Sequence, residues 1–152
     1  MKPVVMLADA NVFLRFLRND HPEHSAAAKR MMEEAAAGIV ILQVPEIVVA
    51  DIFYTLTAPM MKIPRGTAAR QLVALLQQPG IDVLNRRDVL ETLSICEIKD
   101  IDYGDAALII AARSTTHNLP ILSYDKDFAK APEITAFSPI EWLQKGRKLL
   151  RQ

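Results

Sequence analysis

Short apolar runs alternate with longer helix-patterned segments along this chain, and that alternation constrains the fold more than any other feature. The run "VVMLA", starting at Val4, has the continuous apolar character of a strand covered on both faces, and "NVFLRFLRND" then changes to helical spacing. Pro22 lies near the first position of "PEHSAAAKRMMEEAAAG", which is rich in helix formers and stops at Gly38. "IVILQ" is a second strand. "PEIVVADIFYTLTAPM" is too long for a strand and apolar nearly all round, so it reads as a buried helix. Beyond Pro59 and Pro64, "GTAARQLVALLQ" is an amphipathic helix, Pro79-Gly80 turns into the strand "IDVLN", and "RRDVLETLSICEIK" is helical again. The remainder reads as a helix "DYGDAALIIAARSTTHN", a strand "PILSY", a loop "DKDFAKA", a weak strand "ITAF" and a last helix "PIEWLQKGRKLL". Strands that alternate with helices imply an α/β domain with a mainly parallel central sheet.

A chain of 152 residues that is 51% hydrophobic can bury one sizeable core, so a single domain over 1–152 is expected. Eighteen Lys and Arg balance eighteen Asp and Glu, and no global field draws the protein to nucleic acid or a membrane surface. Any polyanion must be held by local patches. One cysteine, Cys96, excludes an intrachain disulfide and argues against a cysteine-based zinc site; it reads as a small buried hydrophobe. The apolar stretch before Asp9 is too short for a signal peptide or a membrane span, which makes a cytoplasmic location the expectation.

Four acids occupy positions that ask for an explanation. Asp9 ends the first strand, where open α/β sheets bind ligands, although taken alone it reads first as a helix cap. Asp51 stands inside "IVVADIFY" with no basic residue within four positions, and an unpaired buried carboxylate there would be costly. Asp105 follows Asp102 by three residues, as an acid in the first turn of a helix often does, and Asp125 and Asp127 follow the strand "PILSY" in a turn rich in Asp. Glu46 has a simpler reading as a first-turn acid favoured by the helix dipole. A doubly wound fold could bring Asp9, Asp51, Asp105 and Asp125 to one sheet edge. Carboxylates so placed repel one another, and a divalent cation is the simplest compensation; an all-oxygen donor set favours Mg²⁺ or Mn²⁺ over Zn²⁺. His21, His24 and His117 lack ligand-like spacing to any acid and read as surface residues. No nucleophile elbow, phosphate-binding Gly-rich loop or dinucleotide turn is present.

The segments "LADANVFLRFL", "VPEIVVADIFYTL", "YGDAALIIAAR" and "PILSYDKDF", in this order and closed by "FSPIEWL", resemble the PIN-domain nucleases, most closely the VapC-type toxins of toxin-antitoxin pairs. The resemblance implies a PIN-like three-layer α/β/α fold and a Mg²⁺- or Mn²⁺-dependent endoribonuclease that uses one or two ions. It makes Asp9, Asp51, Asp105 and Asp125 the acidic quartet, with Asn11 and Ser123 ordering it and Asp127 a further ligand through water. It also implies a cognate antitoxin protein and a homodimer. The chain departs from the family's pattern at Asp51, where Glu is usual, and at Gly104, where a bulkier residue is typical.

Candidate cations for the RNA backbone are Arg15, Arg18 and Lys126, with Lys62, Arg65, Arg86, Arg87 and Lys130 behind them and the basic end Lys145, Arg147, Lys148 and Arg151. Ordinary solvated surface charge is the competing account of each. Two other function classes remain open to the sequence. One is a PIN-like RNA- or protein-binding module inactivated at Asp51; the other is a phosphoacceptor domain using Asp9, which leaves Asp51 without a task.

Overall fold

The structure, a computed structural model, describes residues 2–114, 116, 118–146 and 148. His117, Arg147 and Arg151 lie outside the described residues. The chain divides into two compact units, Met1–Tyr103 and Gly104–Gln152.

In the first unit, β1 (Val4–Leu7), β2 (Val40–Val44) and β3 (Ile81–Val83) form a parallel sheet in that order, with Val4 opposite Val40 and Leu42 opposite Ile81. Parallel neighbours need crossovers, and helices supply them. Helices α1 (Ala10–Arg18) and α2 (Pro22–Ala36) carry the chain from β1 to β2; α3 (Glu46–Thr57) and α4 (Arg65–Leu76) carry it from β2 to β3; α5 (Arg86–Lys99) follows. Central β2 buries Val40, Leu42 and Val44, and the helices contribute Phe13, Ile52, Phe53, Leu56, Leu72, Leu76 and Leu93 to the core. Met32 and Cys96 are also buried, which makes both core residues.

Two expectations need correction. Val4, Val5, Met6 and Leu7 are exposed rather than covered on both faces, and β1 lies at one end of the three-stranded sheet of its unit. An apolar run alone does not distinguish a central from an edge position. Nor is α3 buried all round: Val48, Val49, Ile52, Phe53 and Leu56 turn inward, while Ile47, Asp51 and Tyr54 are exposed. The 3.6-residue period puts 47, 51 and 54 on one stripe, so the helix uses one face despite its composition.

Where α3 begins, Glu46 does more than favour the helix dipole. The buried Tyr103 hydroxyl donates a hydrogen bond to Glu46 Oε1 at 3.1 Å. Burial pushes the Tyr103 phenol well above its ordinary range, and the Glu46 charge adds to the shift. Tyr103→Phe is therefore expected to cost about 1.5–3 kcal/mol, the range for a hydrogen bond to a charged group, in urea unfolding at neutral pH. The sign of the pH effect follows from the raised folded-state value. Above about pH 10, the unfolded tyrosine ionises while the folded one keeps its proton, so stability falls as pH rises. In Tyr103→Phe that alkaline fall should be shallower; parallel curves for the two proteins would contradict the assignment.

The second unit continues α6 (Tyr103–Arg113) and adds β4 (Ile121–Leu122), paired in parallel with β5 (Ala136–Phe137). The predicted loop "DKDFAKA" is instead a 3₁₀ turn at Lys126–Lys130, anchored by the buried Phe128. The predicted last helix breaks up as well. One turn, α7 (Pro139–Glu141), is closed by a reciprocal Ser138–Glu141 capping box and passes into a π-helical turn at Trp142–Gly146. Among the described residues, no helix is long and apolar enough to cross a membrane.

Candidate metal centre

Three carboxylates of the second unit converge. Asp105 lies in the first turn of α6, and Asp125 and Asp127 lie just beyond β4; one oxygen from each falls within 4.8 Å of the others. Local chemistry fixes the last two. Ser123 Oγ accepts the Asp125 N–H at 3.0 Å, and the Ser123 N–H donates to the Phe137 carbonyl at 2.9 Å, tying the loop to β5. Asp125 in turn caps the 3₁₀ turn, its Oδ1 accepting the Asp127 N–H at 2.8 Å. Aspartate suits this task because its short side chain reaches back to the first free amides of a turn.

Electrostatics sets the demand on this cluster. Asp105 and Asp127 are half-buried and Asp125 is exposed. The Lys130 ammonium stands 3.3 Å from Asp127 Oδ1. Asp105 Oδ2 is shielded from solvent with no hydrogen-bond donor of its own, although other atoms of the residue are engaged. Carboxylates held this close repel one another, and a divalent cation would offset that repulsion. The donors are all oxygen, the set preferred by Mg²⁺ and Mn²⁺. The residues present therefore fit such an ion.

The other expected site residues occupy the first unit. Asp9 is exposed and caps α1, its Oδ1 accepting the Ala10 N–H at 2.8 Å. Asn11 is exposed in the first turn of that helix. Asp51 is also exposed, which removes the burial cost that made it conspicuous in the sequence; its backbone carbonyl accepts the Thr55 hydroxyl at 2.8 Å. Asp127, expected as a further ligand through water, has a carboxylate oxygen within 4.8 Å of those of Asp105 and Asp125. Its two-residue spacing from Asp125 was the available signal, and a 3₁₀ turn rather than a loop is what gives that spacing its geometry.

Most of the candidate RNA cations have nearer engagements. Arg15 and Arg18 each reach Asp20 at 2.9 Å, and the hydrogen bond from Arg15 holds the Asp20 carboxyl below its usual range. Arg65 donates to the Asp100 carbonyl, Arg86 to the Leu76 carbonyl and Arg87 to Glu91. Lys126 is exposed at the start of the 3₁₀ turn, next to Asp125 and Asp127.

Against known proteins, a family model described as PIN domain matches residues 6–134. No curated protein matches the chain. The match and the all-parallel strand pairing agree with the three-layer α/β/α class expected from the sequence.

Proposed function

The chain belongs to the PIN-domain family, and from this premise we propose that it is a Mg²⁺- or Mn²⁺-dependent endoribonuclease acting as the toxin of a toxin-antitoxin pair. PIN domains are in general nucleases, and the matched stretch 6–134 runs through both units, so 1–152 is taken as one functional domain. The observation that carries the reading is the convergence of Asp105, Asp125 and Asp127. One or two ions, the cognate antitoxin, the homodimer and the cytoplasmic setting follow from the resemblance to VapC-type toxins.

A divalent cation bound by these acids supplies a water of lowered pKa at neutral pH and offsets charge on the phosphodiester oxygens. The chain's own groups do the rest. Asp105, Asp125 and Asp127 offer the oxygens, and the Asp127 amide and Ser123 hydroxyl hold Asp125 in one orientation. Lys130 limits the repulsion among the acids, and Lys126 offers a cation to the RNA backbone. Asp9 and Asp51 are assigned to catalysis on their motifs, with Asn11 in support.

The test is cleavage of RNA by purified full-length protein with Mn²⁺ or Mg²⁺, with and without EDTA. Cleavage abolished by EDTA and restored by added metal is the expected result. A protein inert with both ions would overturn the reading. Asp51 favours the second reading, an inactive binding module, because it is one methylene shorter than the usual Glu and its oxygens stand roughly 1.5 Å further back. In a working site, Asp51→Ala should lose at least ~10-fold in activity and Asp51→Glu should retain cleavage. In a decayed site, wild type is inert and Asp51→Glu restores activity.

A further inference from the structure

A cleft of about 630 Å³ opens beside the metal-binding acids, within the second unit alone, and shares Asp125 with them. Its size falls in the range of pockets that hold small molecules. Three features of the lining bear on what it takes. Tyr124 is 70% exposed, an aromatic ring left at the surface directly between Ser123 and Asp125. Phe137 forms a second aromatic part of the wall and is braced from outside the cleft lining by Trp142, whose ring centroid lies 5.6 Å away in an edge-on arrangement. Glu141 lines the same cleft, with its Oε2 accepting the Ser138 N–H at 2.8 Å; Oε1 makes no hydrogen bond among the described residues.

We infer that this cleft is a base-binding subsite selective for guanine, with Tyr124 as the stacking platform, Glu141 as the acceptor that reads the base edge and Lys126 as the contact to the adjoining phosphate. Single-stranded RNA is read by stacking splayed bases on aromatic side chains and by hydrogen bonds to their exposed edges. A carboxylate only accepts, so it favours an edge made of donors. Guanine places its N1–H and N2 amino group side by side, one to meet Oε1 and the other the lone pair of Oε2 that the Ser138 N–H leaves open. Uracil flanks its single N–H with two carbonyls, which a carboxylate repels. The capping box keeps Glu141 in its accepting form, since the Ser138 amide holds its carboxyl below the ordinary range. The shared Asp125 sets the consequence: a guanine seated here puts its own phosphate beside the acids. The inference rests on the nuclease reading for its purpose, but its chemistry can be tested separately.

The experiment is equilibrium binding of guanosine and uridine, which carry no phosphate for the metal-free acids to repel, to the full chain in EDTA at concentrations up to the millimolar range. Wild type should bind guanosine, and uridine roughly tenfold or more weakly, as for one well-placed pair of base-edge hydrogen bonds. Tyr124→Ala should weaken guanine binding at least about fivefold, the low end for loss of a stacking ring. Glu141→Gln keeps a side chain competent for the capping box but offers a donor toward the base, so the guanine preference should disappear while folding is retained. Equal affinity for the two nucleosides, no binding of either, or a Tyr124→Ala protein that binds guanosine like wild type would each overturn the inference. RNA cleavage without guanine binding would sink the subsite and leave the nuclease standing. Guanine binding without any metal-dependent cleavage would do the reverse.

Discussion

Asn in place of Asp125 should lower metal-dependent RNA cleavage by at least about 100-fold while leaving the fold intact. The magnitude rests on the position: disturbing a group that only supports a metal ligand costs 10- to 100-fold, and Asp125 would itself supply an oxygen. The expectation of an intact fold rests on local chemistry. Asp125 caps the 3₁₀ turn through Oδ1 and the Asp127 N–H, and Asn is as good a cap as Asp because its carbonyl oxygen accepts the same bond. The substitution removes a charge from the cluster and spares the turn. Asp105→Asn should behave similarly, although its half-buried place on α6 gives it less room to adjust. Thermal unfolding supplies an independent check, since an ion that binds only the folded state raises the melting temperature. Mn²⁺ should raise it in wild type and raise it less in either variant. Variants that cleave RNA at the wild-type rate would show that the trio is an ordinary acidic surface.

Gly80→Ala should destabilise the protein by about 3 kcal/mol or more, the largest effect on stability expected from one added methyl group. Gly80 sits in the turn entering β3 with φ +78°, a region that costs an L residue about 1–2 kcal/mol. Space is the second obstacle. A Cβ there would stand 2.4 Å from the Ala35 carbonyl oxygen and 2.6 Å from its carbon, backbone atoms that cannot rotate away. Overpacking of this kind adds about 1–3 kcal/mol. The turn cannot easily shift to relieve it, because the Gly80 carbonyl accepts the Leu42 N–H at 2.8 Å from central β2. Gly38→Ala is the matching control: φ is +73°, but nothing lies within 4 Å of the added carbon, so only the conformational cost applies. Urea unfolding should rank the two well apart. Equal losses at the two positions would mean that the Ala35 contact carries no weight.

Both residues could be placed in turns from the sequence, Gly38 as a helix stop and Gly80 after Pro79. Their different costs could not be read there, because the contact with Ala35 joins positions 45 residues apart. The same division runs through the elements. Segment α5 was legible to the residue, "RRDVLETLSICEIK" becoming Arg86–Lys99, since its period and its boundaries are local properties. The exposure of β1 was not legible, because burial depends on what packs against a strand from elsewhere in the chain.

The sequence by itself determined the α/β class, the order of the elements, the exclusion of an intrachain disulfide and the set of acids worth examining. Local physics accounts for that reach: hydrophobic period, Pro and Gly punctuation and capping all act within a few residues. Only the tertiary structure decided which acids meet. Asp105 comes near Asp125 across twenty positions because α6 and the loop after β4 belong to one unit, and Asp127 comes near both where a 3₁₀ turn follows Asp125. It also turned Asp51 outward, since a helix with apolar residues on nearly every side still has one face left over when the core has taken the other. Burial and convergence are decided by packing between distant segments, and a one-dimensional pattern can nominate residues for them without assigning their neighbours.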